Sequence, residues 1–259
     1  MQDLNEWFGK AGLDLQIISN PITTRQFSVN NRDIFQMSIN TKGKKKKEYF
    51  QLFLGHEEND IRVIDADSKN QQVILFVKEP ARDYEVKIWN GKEQKYDYEI
   101  QTTVDFIRKY LMGMDESHLF IAELPVGLGP INKIKDAHRV LKPETVIIKE
   151  RDTGRIKRQG EWFFIPTTTE EMNEISRNQE EGIPPIDKKV RIGGGWTGNA
   201  HIADQHIIND YGTFVRGKIC HVEHKTIKLH DWYIVERNTE GRVQKTDSNF
   251  ITDRIKWVD

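Results

Sequence analysis

Two consecutive runs, GTFVRGKICHVEH (212–224) and KTIKLHDWYIVERN (225–238), decide how the C-terminal part of the chain folds. In the second run Ile227, Leu229 and Tyr233 alternate with polar residues, which is the period-2 pattern of a half-buried strand. Apolar residues of the first run also recur at even spacing. Together the runs predict an antiparallel β-hairpin with one apolar face and one polar face.

The sequence before residue 95 carries the same strand signal. A short helix is expected over residues 3–10, and TKGKKKK (41–47) is expected to be a hairpin tip. Around it lie short runs rich in β-branched and aromatic residues, separated by turn residues. These runs are LDLQIIS (13–19), FSVN (27–30), IFQMSIN (34–40), YFQLFL (49–54), IRVID (61–65), QVILFVK (72–78) and residues 84–89.

After residue 95 helical spacing appears among the strand signals. Helices are expected over 99–112, 133–141, 168–181 and 201–211, and strands over 118–124, 145–151, 161–166 and 254–258. The Pro- and Gly-rich stretch 181–200 is expected to be a long loop. The predicted fold class is therefore α+β. A β-rich N-terminal region with antiparallel hairpins (1–95) would precede a mixed α+β region (96–259) that carries the candidate site.

Composition narrows the possible partners. The 259 residues include 39 basic and 40 acidic side chains, so there is no global attraction to nucleic acid or to a membrane surface. The single cysteine, Cys220, excludes an intrachain disulfide. The N-terminal residues do not have the pattern of a signal peptide, and no run is apolar enough to cross a membrane. We therefore expect a cytoplasmic protein without a membrane partner.

The histidines are clustered in one part of the sequence. Five of the eight lie within 30 residues: His201, His206, His221, His224 and His230. Histidine transfers protons near neutral pH and binds transition metals. On a helix His201 and His206 would point in different directions, and on a regular strand His221 and His224 would lie on opposite faces unless a turn falls between them. A divalent metal is therefore possible, but the spacing does not define its ligands.

Basic side chains near these histidines predict an anionic ligand. In the expected hairpin, Arg216, Lys218, Lys228 and His230 share the polar face, with His224 near the turn. Arginine and lysine hold phosphate groups, although a solvated sheet face has the same composition. Asp204 and Asp231 are carboxylates near the cluster that could orient an imidazole or share a metal.

Two further segments are candidates for contact with nucleic acid. Basic and polar residues precede the aromatic run EWFFIP, an arrangement that single-stranded nucleic-acid grooves use but that an ordinary core strand also shows. They are Arg155, Lys157, Arg158 and Gln159. The glycines of GGGWTG (193–198) allow a loop in which Trp196 could stack on a planar ligand. This segment lacks the pattern of a Walker or dinucleotide-binding motif.

The favoured hypothesis is a hydrolytic enzyme acting on DNA or RNA, by phosphodiester cleavage or by base excision. His201, His221, His224 or His230 would act as general acid or base, oriented by Asp204 or Asp231. Two alternatives remain open at the sequence level. One is a non-catalytic nucleic-acid-binding or interaction module, and the other is an enzyme acting on an anionic metabolite.

Overall fold

The computed structural model describes residues 3–22, 33–44, 46–116, 118–125, 127, 129–153, 155–180, 187–192, 200–239 and 255–256. The chain groups into two compact units. The first comprises Met1–Met114, His118–Ala137 and Gly241–Val258, and the second comprises Asp115–Ser117 and His138–Glu240 together with Asp259.

The first unit is built from short strands around one apolar core. Its elements are α1 (Leu4–Lys10), β1 (Leu15–Ile18), β2 (Gln36–Lys42), β3 (Lys47–Phe53), β4 (Asp60–Asp67), β5 (Gln72–Glu79), β6 (Asp83–Asn90), β7 (Lys95–Thr102), β8 (Phe106–Asp115), β9 (His118–Glu123), most of α2 (Ile134–Val140) and β16 (Ile255–Lys256). The sheet orders are β1-β3-β2-β16, β4-β5-β8-β9 and β6-β7. Phe8, Phe35 and Phe50 are fully buried in its core.

The second unit is one antiparallel sheet with two helices. Its elements are α3 (Glu144–Thr153), β10 (Lys157–Gln159), β11 (Trp162–Pro166), α4 (Thr169–Glu180), β12 (Asp187–Ile192), β13 (His201–Asn209), β14 (Gly212–Cys220) and β15 (Ile227–Arg237). The strand order is β10-β11-β15-β14-β13-β12. Thr168 caps α4, because its Oγ1 accepts a hydrogen bond from the Glu171 N–H while Glu171 Oε2 accepts one from the Thr168 N–H.

The two faces of this sheet pack differently because side chains alternate along each strand. We call the face that carries Phe164, Ala203 and Ile219 the inner face, and its apolar side chains pack on one another. The outer face is partly covered by helices: Ile175 of α4 packs with Trp232, and Val146 of α3 packs with Phe163. Two side chains of this sheet can therefore take part in one site only if they lie on the same face or at an edge of the sheet.

The expected α+β fold class is wrong, because the chain is mostly β, with 53% of residues in strands and 15% in helices. The helix predicted over 99–112 does not form, and these residues lie mostly in β7 and β8. The apolar residues that helical spacing would place on one face differ in burial, since Ile100 and Val104 are exposed while Tyr110 and Leu111 are buried. From Phe106 to Gly113, β8 pairs with β5 in an antiparallel ladder that local helical spacing does not reveal.

The predicted helix over 201–211 is also wrong, because these residues form β13. The register between β13 and β14 shifts at a β-bulge between Ala203 and Gln205, where Asp204 alone lies opposite Gly217 and Lys218, and the alternation of β13 changes there. His201 and Ala203 therefore face inward before the bulge, and His206, paired with the inner-face residue Val215, does so after it. The inward-facing residues of β13 are thus separated by two and then three positions, which resembles the spacing of one face of a helix.

Two smaller expectations also change. Residues 145–151 were expected to form a strand but lie in α3, which begins after Pro143, a residue suited to the first turn of a helix. Part of the expected loop 181–200 is the edge strand β12. The predicted hairpin over 212–238 is confirmed as β14 and β15. The predicted domain boundary after residue 95 stays a prediction.

Within the described ranges, the structure has no helix with the length and apolar character needed to span a membrane.

Candidate functional site

Three of the five clustered histidines meet at one end of the inner face. One ring nitrogen from each of His201, His221 and His224 lies within 4.8 Å of the others. The ring centroids are 4.3 Å apart for His201 and His221, 4.7 Å for His221 and His224, and 5.8 Å for His201 and His224. We refer to these three residues as the histidine cluster.

The end of a hairpin brings the three rings together. Ile202 pairs with Cys220 across β13 and β14, so His201 and His221 come one position further along on the two chains. The chain then bends after β14, which brings His224 back towards them. The bend supplies the turn between His221 and His224 that their convergence requires. The Glu223 N–H donates a 3.2 Å hydrogen bond to His221 Nδ1, which helps to orient that ring.

The sheet is rolled so that a distant turn closes the cluster from another side. In a flat sheet β11 and β13 would lie roughly 14 Å apart, because two strands separate them. The Trp162 and His201 rings are nevertheless only 6.5 Å apart, edge to face. Gly160, in the turn between β10 and β11, lies against the His224 ring with φ of +57°. A Cβ atom at this position would lie 2.8 Å from His224 Nε2, so the close approach requires glycine.

Several buried polar atoms in and beside the cluster lack hydrogen-bond partners within the described part of the chain. They are both ring nitrogens of His201, Nδ1 of His224, Nε1 of Trp162 and Oε1 of Gln159. Burying a polar group without a partner costs roughly 1–3 kcal/mol, and native proteins usually avoid it. Because these atoms occur together, they indicate a place where a further binding partner would be stabilising.

His201 is the most constrained member of the cluster, with 1% of its surface exposed. The pKa of His201 is lowered from the usual value to about 3, mainly by burial and also by charge repulsion from the nearby His221 and His224. The backbone of Gln159 acts in the opposite direction by favouring the charged ring, although neither ring nitrogen completes a hydrogen bond with good geometry. His201 is therefore neutral near pH 7, which is the form that binds metals.

The geometry of the cluster fits a borderline transition metal better than a hard cation. Three imidazoles suit Zn²⁺, Cu²⁺ or Ni²⁺, whereas Mg²⁺ and Ca²⁺ prefer oxygen ligands. Nitrogens around a tetrahedral zinc ion lie about 3.4 Å apart. The present separations of up to 4.8 Å therefore require only small side-chain rotations. Three protein ligands leave a fourth position for water or substrate.

Two charged side chains lie beside the cluster within the second unit. Glu116 Oε2 is 4.0 Å from His224 Nδ1 and accepts a 2.9 Å hydrogen bond from the Lys225 N–H. Arg158 Nε donates a 2.8 Å hydrogen bond to the carbonyl oxygen of Gly160, the residue that touches the His224 ring. The carboxylate therefore lies beside the cluster, whereas the Arg158 guanidinium is tied to the Gly160 turn and lies over Phe163, a residue of the outer face.

The predicted basic face is formed, but it lies on the outer face of the sheet, away from the histidine cluster. Lys218 and Lys228 are direct cross-strand partners and both are exposed, and His230 follows on the same side of β15. Arg216 is held by Gln205, whose Oε1 accepts from Arg216 Nε at 2.6 Å, and its guanidinium lies over Trp232. The sheet itself separates these cations from the cluster.

Neither predicted carboxylate is positioned to orient the clustered imidazoles. Asp204 occupies the β13 bulge, where its Oδ2 accepts a 2.9 Å hydrogen bond from the Lys218 N–H and its side chain lies against Gly217. Asp231 is exposed in the middle of β15. His206 lies 3.9 Å from Asp187, away from the cluster, and burial lowers the pKa of His206 while that carboxylate opposes the shift.

The predicted residues before β11 are divided between several roles. Arg155 is exposed, and Lys157 Nζ donates to the carbonyl oxygen of Lys228 at 2.5 Å. Gln159 is buried and its Nε2 donates to the carbonyl oxygen of Lys225 at 2.7 Å, which ties β10 to the segment after His224. Trp196 and the GGGWTG segment lie outside the described residues.

Sequence reasoning missed three residues around the cluster. Gly160 lies between two strand runs, and that position could have indicated a tight turn but not its histidine neighbour. Trp162 was assigned only as part of an aromatic run. Glu116 had no local signal, because its approach to His224 joins positions 108 residues apart in the sequence.

Comparison of the chain with protein-family models, with curated proteins and with solved structures yields no match. The functional argument therefore rests on the geometry of the site.

Proposed function

We propose that the protein is a metal-dependent hydrolase in which the histidine cluster holds a divalent transition metal, with phosphodiester bonds of nucleic acid as the substrate class. The observation that carries this proposal is the convergence of three histidines around His201, a buried neutral ring without hydrogen-bond partners. Metal binding would satisfy a ring nitrogen that the described residues leave unpaired.

The chemistry follows from the number of ligands. A metal with three imidazole ligands and one open position lowers the pKa of a bound water to near 7 and polarises the bond that is cleaved. Burial keeps the His201 ring neutral, and Trp162 and Gly160 pack against the cluster and exclude water from His201. Arg158 places a cation at the turn that holds Gly160, and Asp115 Oδ2 lies 3.9 Å from its Nη2.

The first test is metal binding by the full chain after treatment with a chelator and dialysis. We expect about one Zn²⁺ or Co²⁺ per chain in the wild type. His201→Gln should lose this stoichiometric binding, whereas His230→Gln should keep it, because His230 is an exposed histidine on the outer face. Equal metal binding by His201→Gln and the wild type would refute the proposed site.

The second test is turnover. End-labelled single- and double-stranded DNA and RNA are incubated with the metal-loaded protein, with or without EDTA and a hot-alkali step. We expect cleavage that EDTA and His201→Gln abolish and that His230→Gln preserves. Breaks that appear only after alkali would indicate base excision. Metal binding without any cleavage would refute the hydrolysis of unmodified nucleic acid while leaving the metal site intact.

A further inference from the structure

The histidine cluster has one carboxylate neighbour whose position is itself fixed. Glu116 adopts a backbone φ of +52°, in the left-handed region that residues other than glycine rarely occupy. Its Oε2 is anchored by the Lys225 N–H, one residue after His224. The backbone strain and the anchored carboxylate together indicate that the surrounding structure holds Glu116 in place.

The carboxylate is directed at an atom that has no other hydrogen-bond partner among the described residues. His224 Nδ1 is buried there without a hydrogen bond, and Glu116 Oε2 lies 4.0 Å from it. This separation is about 1 Å longer than a hydrogen bond, so a modest rotation of either side chain closes it. Metal-binding histidines commonly donate the second ring N–H to a carboxylate, which fixes the tautomer and the orientation of the ring.

We propose that Glu116 is the positioning residue of the metal site: its carboxylate accepts a hydrogen bond from His224 Nδ1–H and thereby presents Nε2 to the metal. Gly160 completes this arrangement, because its missing side chain leaves room for the Nε2 edge of the ring. The inference rests on the proposed metal-binding function and adds a residue that acts through His224 without contacting the metal.

The test measures Zn²⁺ affinity by competition with a chromophoric chelator. Glu116→Gln should weaken binding 10–100-fold relative to the wild type, the effect usual for residues that orient a metal ligand. Glu116→Asp keeps the charge but withdraws the carboxylate from Nδ1, so it should also weaken binding. Glu170→Gln is the control, because Glu170 is an exposed carboxylate of the same unit, lies in the first turn of α4 and is outside the histidine cluster.

Two further measurements separate positioning from other roles. The unfolding of the metal-free protein should be the same for Glu116→Gln and the wild type, since a purely structural role would lower its stability. The visible spectrum of the Co²⁺-loaded protein should keep its band positions in Glu116→Gln, since loss of a direct ligand would change them. Reduced metal-free stability that accounts for the weaker binding, or an altered Co²⁺ spectrum, would overturn the assignment.

The two proposals fail in different ways. If the wild type binds no metal, both fall. If the wild type binds one metal and Glu116→Gln binds it with equal affinity, the positioning role falls while the histidine site stands.

Discussion

The backbone of Gly160 lies so close to the ring of His224 that a methyl group on Gly160 would be 2.8 Å from Nε2. No real Cβ contact is this short, so any side chain at position 160 must displace the ring or the turn. The size of residue 160 and the position of a proposed metal ligand are therefore coupled directly.

Gly160→Ala tests this coupling. The variant should be destabilised by about 1–2 kcal/mol from the left-handed backbone alone, and displacement of His224 should also weaken Zn²⁺ binding. Chemical unfolding with EDTA and a zinc titration measure the two effects. Gly43→Ala is the control, because Gly43 has φ of +73° and open space around its Cβ position. A Gly160→Ala protein with wild-type zinc affinity would contradict the coupling.

The stability of the metal-free protein should depend on pH through His201. The folded-state pKa of His201 is about 3, below the ordinary value of 6.5, so the unfolded chain binds more protons between these values. His201 therefore contributes stability above about pH 6.5, and this contribution is lost as the pH falls towards 3. Its slope is at most about 1.4 kcal/mol per pH unit.

Urea unfolding at a series of pH values, with EDTA present, measures this dependence. His201→Gln removes the titrating ring, so the difference in unfolding free energy between the wild type and the variant should shrink as the pH is lowered. A difference that stays constant from pH 7 to pH 4 would show that His201 is not held neutral by the fold.

Zinc should stabilise the folded protein. A ligand that binds only the native state adds about 2.7 kcal/mol to the free energy of unfolding when its concentration is 100 times Kd. The melting temperature should rise with Zn²⁺, and Mg²⁺ should leave it unchanged because imidazole is a poor ligand for hard cations. His224→Gln should abolish the shift, whereas His206→Gln should retain it, since His206 is outside the cluster. A zinc shift that survives in His224→Gln would point to another site.

Asp204 should act on stability and not on metal binding. Its Oδ2 accepts the Lys218 N–H within the β13 bulge, so Asp204→Ala should cost about 1 kcal/mol. Asp204→Asn keeps an acceptor oxygen and should cost less. Zinc titration of both variants should give the wild-type affinity. Loss of metal binding in Asp204→Asn would restore the carboxylate role that the sequence had indicated.

The cross-strand pair of Lys218 and Lys228 should be mildly destabilising, because like charges face each other on the sheet surface. Lys228→Glu replaces this repulsion with attraction and should raise stability by about 0.5 kcal/mol at low ionic strength. The gain should decrease at 1 M salt, where exposed charges are screened. Lys228→Gln should give an intermediate value, and a gain that is independent of salt would indicate packing as the cause.

Local sequence patterns predicted the elements whose structure depends on neighbouring residues. The β14–β15 hairpin was placed correctly, with a register shift between Val215 and Gly217 that the sequence did not indicate, and the helix expected over 168–181 is α4. The helical interpretation of 99–112 failed because pairing with β5 is a long-range interaction. That of 201–211 failed because one bulge at Asp204 disrupts the period-2 pattern.

Part of the candidate site could also be predicted from the sequence, because three of its residues are close together along the chain. The high local density of histidines identified His201, His221 and His224. The sequence also indicated that His221 and His224 can meet only if a turn lies between them, and the structure has a bend there. The separation of the basic face from the histidine cluster could not be predicted, since it depends on the strand order and the curvature of the sheet. The approach of Glu116 to His224 depends on tertiary structure alone.

The placement of all three histidines on a single β-hairpin has a kinetic consequence. The β13–β14 turn brings His201 to His221, and the bend after β14 brings His224 to both, so the loops that must close are short and their entropic cost is small. A metal ion held there would stabilise contacts that are local in sequence, and such contacts form early in folding. We therefore expect the ion to accelerate folding more than it slows unfolding, so that it would help the C-terminal sheet to select its strand register during folding.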